Sequence, residues 1–162
     1  MPSITALLHT ENDALRLGRA LETLYACDDI LIVDSGSQDA TVRVAREYGA
    51  RVVVAAPGFS SQEYLAFARA GWILCLDARE SLTEKLAASL FEWKSEVLPG
   101  NRTAASVFSV FLREETAQGW VDVPTAQTRL VPRGWRSWKG KYPLQEPAAV
   151  TLEGELLRFV FP

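Results

Sequence analysis

Residues 30–54 read ILIVDSGSQDATVRVAREYGARVVV, and no other stretch constrains the fold as strongly. An apolar run ends at Asp34, passes through Ser35, Gly36 and Ser37, and opens an amphipathic segment that closes at Gly49 before a second apolar run. The pattern is a strand, a tight polar turn, a helix and a second strand, which together make one βαβ unit. In open α/β sheets ligands sit at the carboxyl ends of the strands, where strand ends and helix starts leave a crevice of polar groups.

The flanking sequence repeats the alternation. Residues 3–9 predict a strand and 13–26 a helix, with Leu15, Leu17, Leu21, Leu24 and Tyr25 largely on one face and Asn12 or Asp13 as its cap. Strands follow at 29–34, Arg51–Ala55 and Trp72–Leu76. Helices are expected from Ser37 or Gln38 to a left-handed stop at Gly49, near 61–70, and over 82–97. Four strand–helix repeats imply an α/β domain with a mainly parallel sheet and helices on both faces. Beyond Asn101 the pattern turns to strands: Ala104–Leu112, Gln127–Val131, and a pair at 149–152 and 156–161 joined by a Glu153-Gly154 hairpin turn. The expectation is one domain over 1–162, with a βα part to residue 100 and a β-rich part from 101.

Composition narrows the class. With 162 residues, 48% hydrophobic and 23% charged, the chain reads as a soluble globular domain. No apolar run approaches the roughly 20 residues of a membrane span. The start, MPSITALLHTEN, lacks the basic residues and cleavage site of a secretory leader, so a cytoplasmic protein is expected. Cys27 and Cys75 stand in apolar surroundings and read as small buried hydrophobes. One histidine and no cysteine cluster argue against zinc. Without a secretory route, the Asn101-Arg102-Thr103 glycosylation pattern is discounted.

The net charge of −3 hides an asymmetry: residues 128–162 carry six cations against three acids. Arg129, Arg133, Arg136, Lys139 and Lys141 fall in an acid-free stretch that also holds Trp135 and Trp138. Nucleic acid is a poor partner for so acidic a chain. A phosphate-bearing ligand or an anionic membrane surface fits better, as does a solvated basic hairpin with two core tryptophans.

The turn after the first strand, HTENDAL, has no glycine, which disfavours a dinucleotide fingerprint, and a Walker loop is absent. What remains is a set of carboxylates at strand ends: Glu11, Asp13, Asp34, Asp77 and Glu80. Each can accept hydrogen bonds from a ribose or a base, and each is also an ordinary cap or turn former.

Taken in order, Thr10-x-Asn12-Asp13, IVDSGSQDAT, EYGARV, GF-x-x-Q and WILCLDARE resemble the family 2 glycosyltransferases of GT-A fold, especially bacterial lipopolysaccharide-core and cell-envelope sugar transferases. Their pattern runs TKNE, VVDSGSTDGT, YGAKV, GFGxQRN and W-hydrophobic-LDADE. The likeness covers about residues 3–98 and loosens afterwards. It implies a GT-A-like three-layer fold and sugar transfer with inversion from a nucleotide-sugar donor, UDP-linked by expectation. The acceptor would be a saccharide or a lipid-linked molecule at the inner face of the membrane. Asp34 would hold the base or ribose, Thr10 and Asn12 would line the same cleft, and Asp77 would be the first acid of the DxD motif.

The chain departs from the pattern at the second acid, which in the family holds Mn²⁺ or Mg²⁺ on the donor's diphosphate. Arg79 stands there, and a guanidinium cannot ligate a cation. Three readings compete: Arg79 neutralises the diphosphate itself, Glu80 takes over the metal, or the site has decayed. Further departures are Glu63-Tyr64 in place of the family's Arg-Asn, and Gln145-Glu146 near the place of its V-H-E. The chain also stops at Pro162, where members usually continue with helices that help close the acceptor site. Glu146 and Asp122 are the candidates for the general base. Arg133, Trp135, Trp138 and Lys139 would face the acceptor or the membrane. Two other readings stand beside the transferase: a catalytically degenerate GT-A domain that binds a nucleotide or a partner, and an α/β nucleotide-binding protein of another lineage, which a flavodoxin-like strand order would favour.

Overall fold

The computed structural model describes residues 2–58, 60–96 and 107–161. The elements in chain order are β1 (Ile4–Thr10), α1 (Ala14–Glu22), β2 (Asp29–Asp34), α2 (Thr41–Glu47), β3 (Arg51–Val54), a 3-10 helix (Ser61–Phe67), β4 (Trp72–Asp77), β5 (Glu80–Leu82) and α3 (Glu84–Glu96). They continue with β6 (Phe108–Thr116), β7 (Gly119–Asp122), β8 (Gln127–Pro132), β9 (Trp138–Lys139), β10 (Tyr142–Pro143) and β11 (Val150–Arg158).

One sheet carries most of the chain, in the order β3-β2-β1-β4-β8-β6-β11-β5, with β7 beside β6. Strands β1 to β4 are parallel, as their unbroken apolar runs require. Beyond β4 the sheet is mixed: β8 runs antiparallel to β4 and β6, whereas β11 is parallel to β6 and antiparallel to β5. The strand order reverses direction between β1 and β4, which opens a crevice at their carboxyl ends. The flavodoxin-like order is not adopted.

The two faces are covered differently. Side chains of β1, β2 and β4 alternate between a core that includes Leu17 and Leu21 of α1, Ala45 of α2 and Leu86 and Leu90 of α3, and a second core that includes Tyr64 and Leu65 of the 3-10 helix. Helices were expected on both faces. Instead all three α-helices contribute to the first core, while the 3-10 helix and the Trp138–Pro143 hairpin cover the second. Of the apolar face read for the first helix, Leu17, Leu21 and Leu24 are buried, but Leu15 is 87% and Tyr25 59% exposed.

Helix α1 ends at Glu22 rather than near residue 26, and two further elements differ from expectation for local reasons. Helix α2 begins at Thr41 rather than Ser37, because Asp34 takes the Ser37 amide at 2.8 Å and Asp39 takes the Thr41 amide at 2.9 Å, holding the intervening backbone in turns. The hairpin expected at Glu153-Gly154 is a single strand, β11, whose register against β6 shifts between Thr151 and Glu155. Gly154 has φ 93°, and a Cβ there would lie 2.3 Å from the backbone nitrogen of Leu86, so the glycine admits α3 rather than a chain reversal. Strands β5 and β7 were not foreseen. The Asn101-Arg102-Thr103 tripeptide and the first residues of the strand expected from Ala104 lie outside the described residues.

Candidate functional site

The carboxyl ends of β1 and β2 form one wall of the crevice. Asp34, the last residue of β2, is 4% exposed. Its Oδ1 accepts from the Thr10 hydroxyl at 2.7 Å and the Ser37 hydroxyl at 2.6 Å, and its Oδ2 from the Ser37 amide at 2.8 Å. Asn12 sits at φ 53°; its amide donates to Ser37 Oγ at 2.9 Å, and its Oδ1 accepts from the Gln38 amide at 2.9 Å. Thr10, Asn12, Asp34 and Ser37 are thus tied into one loop. The carboxylate of Asp34 also organises its own turn.

A second wall follows β4. Asp77 Oδ1 accepts from the Arg79 amide and from Arg79 Nε, both at 2.9 Å. Burial works to raise the Asp77 carboxyl, but Arg79, with Arg158 farther off, outweighs it and holds it below the usual carboxylate range. Arg79 remains 39% exposed. Nearby Asp13 is pushed up, chiefly by burial, with the charge of Asp77 adding to the effect.

Behind this wall lies an ionic cluster. Glu80 is fully buried, and its two oxygens receive five hydrogen bonds: Arg129 Nη1 at 2.7 Å, Arg129 Nη2 at 3.0 Å, Arg158 Nη2 at 2.8 Å, Arg158 Nε at 3.2 Å and the Asp77 amide at 2.8 Å. Arg129 is itself fully buried, also donates to the Cys75 carbonyl at 3.0 Å, and lies 4.3 Å from the Tyr142 ring centroid. Burial opposes ionisation of Glu80, yet the bidentate Arg129 keeps its carboxyl below the ordinary value. The expectation that Glu80 takes over a metal is therefore corrected: its lone pairs are committed to guanidiniums.

The third wall is the β9–β10 hairpin. His9 pairs in register with Asp77 across β1 and β4. Its Nε2 lies 2.7 Å from Ser61 Oγ, which donates its one proton to the Lys141 carbonyl at 2.7 Å, so Nε2 carries the histidine proton. Burial, reinforced by the charge of Lys141, lowers the imidazole to about 4. Trp135 and Trp138 pack on the second core, and Trp138 Nε1 donates to the Trp135 carbonyl at 2.7 Å. The indoles expected to stack on an acceptor are thus largely spent on folding the hairpin. Arg133 and Lys139 stay exposed, Arg133 donating to the Ala68 carbonyl at 3.1 Å.

The two candidate bases are placed apart. The Glu146 amide donates to Thr128 Oγ1 at 3.0 Å, next to Arg129 on β8, and its Oε1 accepts from the Ala148 amide at 3.1 Å. Asp122 lies on the outer strand β7, bonded to Arg113 at 3.0 Å, and lines a cavity of about 370 Å³ with Phe111, Val123 and Glu155, which no donor-wall residue lines. His9, Arg129 and Arg158 are site residues the sequence did not single out for this crevice.

The GT-A fold implies a divalent cation, and the residues present do not fit one. Asp77 is bonded to Arg79, Glu80 is saturated, and no group of three potential metal ligands forms among the described residues. Likewise, no helix among them is long and apolar enough to cross a membrane.

No family model matches the chain. Over 90 residues, 53% of its length, it is 37% identical to an uncharacterized glycosyltransferase of Rickettsia felis, of which it covers 32%. Mannosyl-3-phosphoglycerate synthase from Rubrobacter xylanophilus superposes with a TM-score of 0.54 at 24% identity, covering 70% of this chain and 41% of that one. Glucosyl-3-phosphoglycerate synthase from Mycobacterium tuberculosis, solved with Mn²⁺, UDP and glucosyl-3-phosphoglycerate, gives 0.52 at 20% identity, covering 69% and 44%. The chain thus has the GT-A fold, and spans about a third of the length of the curated relative and under half of the two solved structures.

Proposed function

We propose that this chain is the donor-binding unit of a glycosyltransferase that takes a sugar from a nucleotide-sugar, UDP-linked by preference. The observation that carries the reading is the loop at the reversal of strand order. There, buried Asp34 is bonded to Thr10 and Ser37, in a chain whose sequence likeness is to a glycosyltransferase. Asp34, Thr10 and Asn12 hold the nucleoside, Asp77 the ribose and sugar side, and Arg79 the diphosphate. Because leaving nucleoside diphosphate gains negative charge as the glycosidic bond breaks, a fixed guanidinium supplies there what a cation supplies elsewhere. Glu146, anchored beside Arg129, is the stronger candidate to deprotonate the acceptor hydroxyl, since Asp122 is spent on Arg113 at an outer strand. Transfer would then proceed with inversion. The exposed cations Arg133 and Lys139 favour an acceptor bearing phosphate, such as a cell-envelope saccharide or a lipid-linked intermediate at the membrane's inner face.

The full ionic occupation of Glu80, with Asp77 paired to Arg79 through Oδ1, equally supports a domain that binds nucleotide without transfer. Calorimetric titration with UDP and UDP-glucose, in Mn²⁺ and again in EDTA, tests the common core of both. Micromolar binding that EDTA leaves unchanged is expected, and release of sugar from UDP-glucose then separates enzyme from binding module. Absence of binding under both conditions refutes the donor reading.

A further inference from the structure

Arg158 lies at the end of β11, far in sequence from every residue assigned to the donor. Strand β11 pairs with β5 so that Arg158 faces Glu80, and the next residue, Phe159, donates its amide to the Arg79 carbonyl at 2.9 Å. The end of β11 is fixed on its other side as well. The Phe159 ring packs 3.7 Å under the Arg19 guanidinium and meets Trp120 edge-on at 5.0 Å. Arg79 and Arg158 are therefore backbone neighbours held on the same rim of the crevice.

Their charges are not cancelled. The rim holds two carboxylates, Asp77 and Glu80, with nearby Asp13 already paired to Arg16, against three guanidiniums, Arg79, Arg129 and Arg158. Arg129 is fully buried and engages both Glu80 oxygens, whereas Arg158 engages Oε2 only and its side chain is 22% exposed, so Arg158 is the surplus cation. The bonds it makes use Nε and Nη2, and those of Arg79 use Nε. Nη1 of Arg158 and both Nη atoms of Arg79 are thus uncommitted among the described hydrogen bonds. A surplus positive charge at a partly desolvated rim attracts an anion far more strongly than the same charge in water.

We propose that Arg79 and Arg158 form a two-guanidinium seat for a diphosphate, and that buried Glu80, clamped by Arg129, is the positioning residue that aims Arg158. The proposal rests on the donor reading for its nucleotide, and it explains why the acids after β4 do not fit a metal. Each guanidinium presents paired N–H donors in a plane, which matches phosphate oxygens bidentately. Glu80 fixes the second fork in advance, so less side-chain freedom is lost on binding.

The test is calorimetric titration of the intact chain in excess EDTA with uridine, UDP and inorganic pyrophosphate. Wild type is expected to bind UDP at least about tenfold more tightly than uridine. Arg158→Met should remove about tenfold of the affinity for UDP and pyrophosphate while leaving uridine within about twofold, and Arg158→Lys should fall between, as a point charge without the fork. Glu80→Gln, which keeps the shape but loosens the fork, should weaken UDP and spare uridine. UDP binding no tighter than uridine, a requirement for Mn²⁺, or an Arg158→Met chain that binds UDP like wild type overturns the seat while the donor reading stands. Pyrophosphate binding lost in Arg158→Met, with no uridine or UDP bound, supports the seat and overturns the donor reading. Failure of all three ligands to bind overturns both.

Discussion

The buried histidine makes acid stability a quantitative readout of how the crevice is built. His9 is 6% exposed and donates from Nε2 to Ser61 Oγ, and its imidazole is lowered to about 4, first by burial and then by Lys141. In the unfolded chain the same ring titrates near 6.5. Between those values the unfolded state holds a proton that the folded state refuses, so acid favours unfolding: the contribution is complete above pH 6.5 and is lost as pH falls toward 4. At about 1.4 kcal/mol per pH unit the whole effect is about 3 kcal/mol. Between pH 7.5 and 5, where most carboxylates are still ionised in both states, it is about 2 kcal/mol. Urea unfolding across that range, on wild type and on His9→Gln, isolates it. Glutamine keeps a donor for Ser61 and has nothing to protonate, so its stability should stay nearly flat down to pH 5 while wild type falls. Parallel curves for the two proteins would refute the assignment of a buried neutral imidazole.

Two further outcomes follow from packing and charge. Gly154→Ala forces a Cβ into the backbone of Leu86 at a positive φ, and should cost at least about 2 kcal/mol in urea or thermal unfolding; an unchanged midpoint would mean β11 does not press on α3 as described. Arg129→Met leaves the fully buried Glu80 with Arg158 and one amide, and should cost about 3–5 kcal/mol, most of it recovered when Glu80→Leu is added. A single variant as stable as wild type would show the buried pair to be dispensable.

The first hundred residues were largely legible because each parallel strand there is an unbroken apolar run closed by a polar turn, a local signal that tertiary contacts reinforce. Asp34 could be placed at the end of β2, and Arg79 just beyond β4, for the same reason. What could not be read is long-range. Arg129 stands among exposed cations in sequence, yet it is fully buried because its partner Glu80 lies 49 residues earlier. Arg158 meets the same acid across 78 residues. Gly154 reads as a turn in sequence because a glycine that reverses the chain has the same local signature as one that admits a neighbouring backbone. Sequence left the tryptophans open between core and contact, and the packing of the hairpin puts both against the second core.

The position of β11 also has a consequence for how the protein is made. It lies between β6 and β5, parallel to one and antiparallel to the other, and it follows both in the chain. Until translation has passed Arg158, β5 lacks its partner and the acid at its start lacks one of its two arginines. A nascent chain halted before residue 150 thus exposes two unpaired strand edges and an incompletely compensated carboxylate, and these invite chaperone binding or non-native pairing. Final closure of this sheet therefore waits for β11, and the crevice is completed only once that strand has joined β5 and β6.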